Sequence, residues 1–232
     1  MKAILKRELR FYYHSFTGYA FAAVLLLFAG IYTMAICLQS GYSNFEYVLG
    51  NIGFIFLLIV PILTMRTFAE EKKQKTDQLL YSLPTGMLRI VIGKYLALLL
   101  VFLVPVMILS IYPLVLSLYG NLAMKTVYST IFAFFLLGAS LLSIGMFIST
   151  LTESQPFAAG GTFVVLLLDY LAPSLADFLP AGGSIVSALC LFTPLENFLY
   201  GIFDIKGIVF YLSTIILFLF LTVQALEKRR WS

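Results

Sequence analysis

Few residues of this chain could do chemistry, and they lie far apart. There is one histidine, His14, and there are two cysteines, Cys37 and Cys190; one carboxylate, Asp169, falls inside a long apolar run. The cysteines form no disulfide framework and no metal-ligand spacing. They read as two buried thiols packing as small apolar groups, with a bridge between them as the alternative. His14 sits among basic and aromatic residues and reads as a surface or headgroup contact, not as a catalytic base. The nearest approach to a phosphate loop is Gly86 to Lys94. Six residues separate its two glycines and Tyr95 follows the lysine, so its amides cannot form that cradle. No H-E-x-x-H and no G-x-S-x-G stretch occurs. The chain is expected to be non-enzymatic, with no cofactor and no metal site of its own.

Composition says which solvent must surround these residues. Of 232 residues, 61% are hydrophobic and 11% charged, with mean hydropathy +1.00. Soluble domains carry about 25% charged residues. This chain cannot cover a water-facing surface, and the bilayer is the solvent that suits it. The expected class is all-α and polytopic, one transmembrane domain over 1–232, with no internal repeat and no soluble domain.

Six apolar stretches are long enough to cross, roughly 19–38, 51–68, 93–119, 126–150, 157–172 and 207–225. Pro61, Pro105 and Pro113 fall inside them as expected kinks. Before the first, residues 1–17 place Leu5, Leu9, Tyr12 and Phe16 on one helical face. Lys2, Lys6, Arg10 and His14 lie on another, the pattern of an interfacial amphipathic helix against anionic lipid. A cleaved signal peptide is disfavoured, since the first apolar run is too long and no small-x-small site follows. Residues 173–206 are apolar but broken by Pro173, Pro180, Gly182, Gly183 and Pro194. They are expected to form short outer-face helices that do not cross.

Basic residues fix the expected orientation. With the amino terminus inside, 13 of the 15 Lys and Arg residues are cytoplasmic and only Lys125 and Lys206 lie outside. Nucleic acid is a poor partner for this charge, because no folded water-facing platform could carry it. Asp169, near the end of the fifth span, has two readings. It is either a proton or substrate relay in a pathway, or a capped, snorkelling residue at the outer interface.

One charged run remains, FAEEKKQKTDQLLYSLP at 68–84. Phe68, Thr76, Leu79 and Leu83 follow a helical stripe broken by Lys72, and Glu70, Glu71, Lys73, Gln74, Lys75 and Asp77 fill the polar remainder. Glu71 and Lys75 stand in the favourable i,i+4 order. Pro84 should stop the helix near Leu83. Such a run is either a solvated loop enforcing topology or a rigid docking element for a soluble partner.

MRTFAEEKKQKTDQLLYSLPTG followed by IGKYLA resembles the segment between spans two and three of ABC-2-type transporter membrane subunits. GMFISTLTESQPFAAGGTF is similar to that family's span-four-to-five region, and Gly145 and Ser149 within it are small residues of the kind that let helices approach closely. ENFLYGIFDIKGIVFYLS and ALEKRRW resemble the gliding-motility-type branch. The resemblance implies a six-helix permease subunit of an ATP-driven exporter or mechanotransmission complex in a prokaryotic cytoplasmic membrane. It implies a second membrane subunit and a cytoplasmic ATP-binding subunit that holds the ATP, and it admits an extracytoplasmic accessory subunit. The coupling helix maps to 68–83, with Phe68, Glu70, Glu71, Lys72, Lys75, Leu79 and Leu83 at or beside the ATPase contact. The rival readings are a secondary transporter, for which inverted repeats are missing, and a membrane scaffold that recruits some other soluble protein.

Overall fold

A computed structural model of the protein describes residues 2–39, 44–73, 75, 86–118, 122–176 and 189–231. These form helices and no strands. The helices are α1 (Lys2–His14), α2 (Phe16–Thr33, running on into a π-helical turn, Met34–Gln39), α3 (Phe45–Thr64), α4 (Ala69–Lys73), α5 (Met87–Leu109), α6 (Tyr112–Leu116), α7 (Met124–Leu151), α8 (Gln155–Ala176), α9 (Thr193–Leu199) and α10 (Ile205–Trp231).

Six stretches are long and apolar enough to span a bilayer: Phe16–Cys37, Phe45–Lys73, Met87–Leu116, Met124–Leu151, Gln155–Ser174 and Ile205–Arg229. They fall on the six runs expected from the sequence, with ends shifted by several residues. The protein is a multi-pass membrane protein. Pro61 and Pro105 lie inside α3 and α5, while Pro113 opens α6 beyond a break at Ser110 and Ile111.

The fourth span, α7, is the axis of the bundle and packs against α3, α5, α8, α9 and α10. It is apolar all round, as a helix enclosed by others must be. Two of its buried hydroxyls turn back on their own backbone: Ser140 donates to the Leu137 carbonyl and Ser143 to that of Ser140, both at 2.7 Å. Four spans meet in an aromatic core, where Phe56 stacks on Phe134 at 4.7 Å and Phe102 takes edge contacts from Phe21 and Phe56. Small residues on α7 permit this closeness. A Cβ at Gly138 would overlap the Phe102 ring, and one at Gly145 would overlap Thr64.

α1 differs from the expected 1–17 helix in one respect. It ends at His14, because the Ser15 hydroxyl accepts from the Thr17 amide and starts α2. The phase of the stripe is lost there. Tyr12 is buried, whereas Phe16 is 84% exposed on the first span.

Candidate functional site

Every second crossing returns the chain to one end of the bundle. The carboxy-terminal end of α3, the amino-terminal end of α5 and the carboxy-terminal end of α7 therefore converge there, with α1 laid across them. Between them sits α4, a helix of five residues that begins a few residues after α3 ends. Its amino-terminal amides would be orphaned if buried without a cap. The cap comes from another span: the Ser149 hydroxyl on α7 accepts from the Phe68 and Ala69 amides, both at 3.2 Å, and donates to the Met65 carbonyl at 3.3 Å. Lys72 adds a second tie to α7 by donating to the Thr150 carbonyl. Gly145, one turn earlier on the same face of α7, lets α3 approach closely enough for the cap to form.

Lys94 is the centre of this end. It stands on α5, 2% exposed, with Nζ 2.9 Å from Glu71 and 3.4 Å from Glu8 of α1. It also donates to the Thr67 carbonyl at 2.7 Å and lies 4.9 Å from the Phe68 ring centroid. Arg7 closes the network from outside, 2.8 Å from Glu8 and 2.9 Å from Glu71. A buried charge is tolerable when it is paired and hydrogen-bonded on all sides, and that is its state here. The hydrogen bond to Glu8 raises the Arg7 pKa above its usual value, against the opposing effect of partial burial. Burial, helped by the Glu8 charge, pushes the Tyr12 hydroxyl up, and that hydroxyl donates to the Leu63 carbonyl at 3.4 Å. Arg66 donates to Ser15 and Thr17, both at 3.0 Å, and stands 3.8 Å from Glu70. Together these contacts clasp α1, α4 and the ends of three spans.

The residues singled out in the sequence fare differently. Phe68 and Lys72 are buried against their own chain. Glu71 turns inward to Lys94 and Arg7, so the long-range pair takes the carboxylate that the i,i+4 order had assigned to Lys75. Lys73 and Lys75 are exposed. Of the helix expected over 68–83, the described residues show α4 ending at Lys73 and Lys75 at a φ of 57°, the left-handed conformation that closes helices. Leu79 and Leu83 lie outside the described residues. Glu8, Lys94 and Ser149 were missed as site residues. A lone charge at a span's polar end gives no hint that it is enclosed.

At the opposite end of the bundle, Asp169 of α8 accepts the Leu191 amide at 3.2 Å on each oxygen, and its carbonyl accepts from the Cys190 thiol. Tyr211 of α10 donates to the Leu191 carbonyl at 2.9 Å, and Thr130 of α7 to that of Phe198 at 3.0 Å. These bonds seat the segment around α9 on the spans. It is the described part of the outer-face region expected over 173–206; residues 177–188 lie outside the described residues. Asn197 and the Lys206 amide both donate to Asp204, and the Asn197 bond foremost holds that carboxyl below its usual range. Cys37 and Cys190 are free, buried thiols. Beside Asp169, a cleft of about 470 Å³ opens between α8 and α10. No metal-binding group of His, Cys, Asp or Glu occurs among the described residues.

Comparison with curated proteins gives no match. The family model described as ABC-2 family transporter protein matches residues 37–224, taking in α4, Lys94, Ser149 and Asp169 and leaving out α1. Permease components of this family are not themselves catalytic, and they generally dimerise and work with an ATP-binding subunit. Six spans, a charged clasp at one end and a match over most of the sequence agree, and the chain belongs to the ABC-2 transporter family as the membrane permease component of an ABC transporter.

Proposed function

We propose that this permease couples ATP hydrolysis in a separate cytoplasmic subunit to movement of its spans, as an exporter or mechanotransmission complex of the gliding-motility-type branch. The observation that carries the reading is the clasp. α4 is bonded to the ends of α3, α5 and α7 and to α1 at once, so a push on it reaches three spans as one body. A solvated loop that only enforced topology would need no cap from another span and no buried lysine. In this reading the clasp end, both termini and residues 70–89 face the cytoplasm of a prokaryotic cell. A second membrane subunit, identical or related, completes the complex. Asp169 lines its pathway.

Burial supports a division of roles within the docking element. Phe68, Glu71 and Lys72 hold α4 in place, and the ATP-binding subunit touches the outward side, with Glu70, Lys73 and Lys75 at the rim and Leu79 and Leu83 as apolar anchors. The experiment is pull-down of a co-expressed ATP-binding subunit, together with membrane-stimulated ATP hydrolysis. Lys73→Glu with Lys75→Glu should weaken pull-down, and Leu79→Ala should weaken it further, since buried anchors at interfaces can each contribute about 2 kcal/mol. Lys94→Met should leave pull-down in place while lowering stimulation. Wild-type behaviour in all three variants would turn the reading toward a membrane scaffold.

A further inference from the structure

The cleft between α8 and α10 has a one-sided chemistry. Its walls are mostly apolar, among them the rings of Phe210 and Phe218, and exposed Val165, Leu189 and Leu217 show that it opens at the side of the bundle. Among the described residues, three polar side chains face it: Asp169, Ser213 and Thr214. The Ser213 hydroxyl donates to the Val209 and Phe210 carbonyls, and Thr214 donates to Phe210 at 2.9 Å. Their protons are spent on the helix, and only lone pairs remain. The Leu191 amide is spent on Asp169. Every polar group that the described residues offer to the cleft is thus an acceptor. Among the described residues no ion pair involves Asp169. A carboxylate in hydrocarbon surroundings is costly without a counter-charge.

We propose that this cleft binds a small lipophilic cation, its charge against Asp169 and its apolar body between Val165, Leu217 and Phe218. An anionic or strongly donor-seeking ligand would find no donor, whereas aromatic faces add to the attraction for a cation. The volume is that of sites for drug-sized molecules, roughly 300–1,000 Å³. The proposal deepens the pathway role given to Asp169. It is tested with no ATP-binding subunit present, so it stands or fails apart from the docking reading.

The test is equilibrium binding of tritiated tetraphenylphosphonium to the full chain in phosphatidylcholine nanodiscs. Tetraphenylborate, of the same shape and opposite charge, serves as competitor. Saturable phosphonium binding above empty nanodiscs is expected, with tetraphenylborate competing at least about tenfold more weakly. Asp169→Asn keeps an acceptor for the Leu191 amide and should weaken binding about tenfold or more. Leu217→Trp fills the cleft from its exposed side and should remove binding with the carboxylate intact. Should Asp169→Asn fail to yield a monodisperse protein, the charge comparison on the wild type and the Leu217→Trp variant decide the matter. Equal competition by the borate, unchanged binding in Leu217→Trp, unchanged binding in a folded Asp169→Asn, or no saturable binding would each overturn the proposal.

Discussion

Lys94 and Glu71 meet at 2.9 Å inside the protein, one on α5 and the other on α4, the short helix that follows α3. The pair is enclosed: Lys94 is 2% exposed, and the Thr67 carbonyl accepts a further hydrogen bond from its ammonium. Breaking one side of a buried pair leaves the other charge uncompensated, which costs about 3–5 kcal/mol in soluble proteins. Lys94→Met should therefore lower the thermal midpoint of the detergent-solubilised protein. Adding Glu71→Gln should restore part of the loss. A single mutant as stable as wild type would remove Lys94 from the centre of the clasp.

Ser149 serves two amides and one carbonyl with a single hydroxyl. Ser149→Ala should cost about 1–2 kcal/mol, the range for a lost helix cap. More telling, it should loosen α4 on α7, leaving the Lys72 tie, and reduce ATPase stimulation more than pull-down. Equal losses in both would mean that Ser149 only stabilises the fold.

Gly145 and Gly160 make an internal comparison. A Cβ at Gly145 would overlap Thr64, whereas a Cβ at Gly160 meets nothing within 4 Å. Gly145→Val should therefore reduce the yield of folded protein sharply, and Gly160→Ala should be neutral or nearly so. Similar yields for the two would contradict the close packing of α7 on α3.

Cys190 is buried, and burial, aided by the neighbouring Asp169 charge, pushes its thiol above the usual range. The thiolate is the reactive form, so it is scarce here at neutral pH and becomes more abundant only as pH rises beyond the raised value. Maleimide should modify native Cys190 far more slowly at pH 7 than a cysteine placed at exposed Lys125. Rapid labelling of both would mean the outer segment does not seal over Asp169.

The same reagent tests orientation. In intact cells an impermeant maleimide should reach Lys125→Cys and miss Lys75→Cys, since the proposed orientation puts the latter inside. Labelling of position 75 from outside would reverse the topology and the proposed docking face with it.

Hydropathy and charge made the six spans and their expected orientation legible, because a crossing segment must satisfy its backbone within itself and its apolar length is written in consecutive residues. The run at 68–84 was legible as a special element for the same local reason: it is the one long polar interruption between two spans. Its internal geometry was not. The i,i+4 rule joins Glu71 to Lys75, but a surface pair of that kind contributes only about 0.2–0.5 kcal/mol. Burial beside Lys94 and Arg7 outweighs it. Periodicity also carried the amphipathic stripe one residue type too far, to Phe16, since it does not register the turn that Ser15 introduces.

The sequence by itself thus determined the solvent, the number of crossings and the class of transporter, all of which depend on runs of neighbouring residues. Only the tertiary structure decided that Glu8, Glu71 and Lys94 form one buried network, that Ser149 caps a helix on another segment, and that Asp169 faces a cleft of acceptors. A helix's apolar face can be read from spacing. Which distant side chain it meets depends on how the spans pack, and that is set by shape and burial summed over the whole bundle.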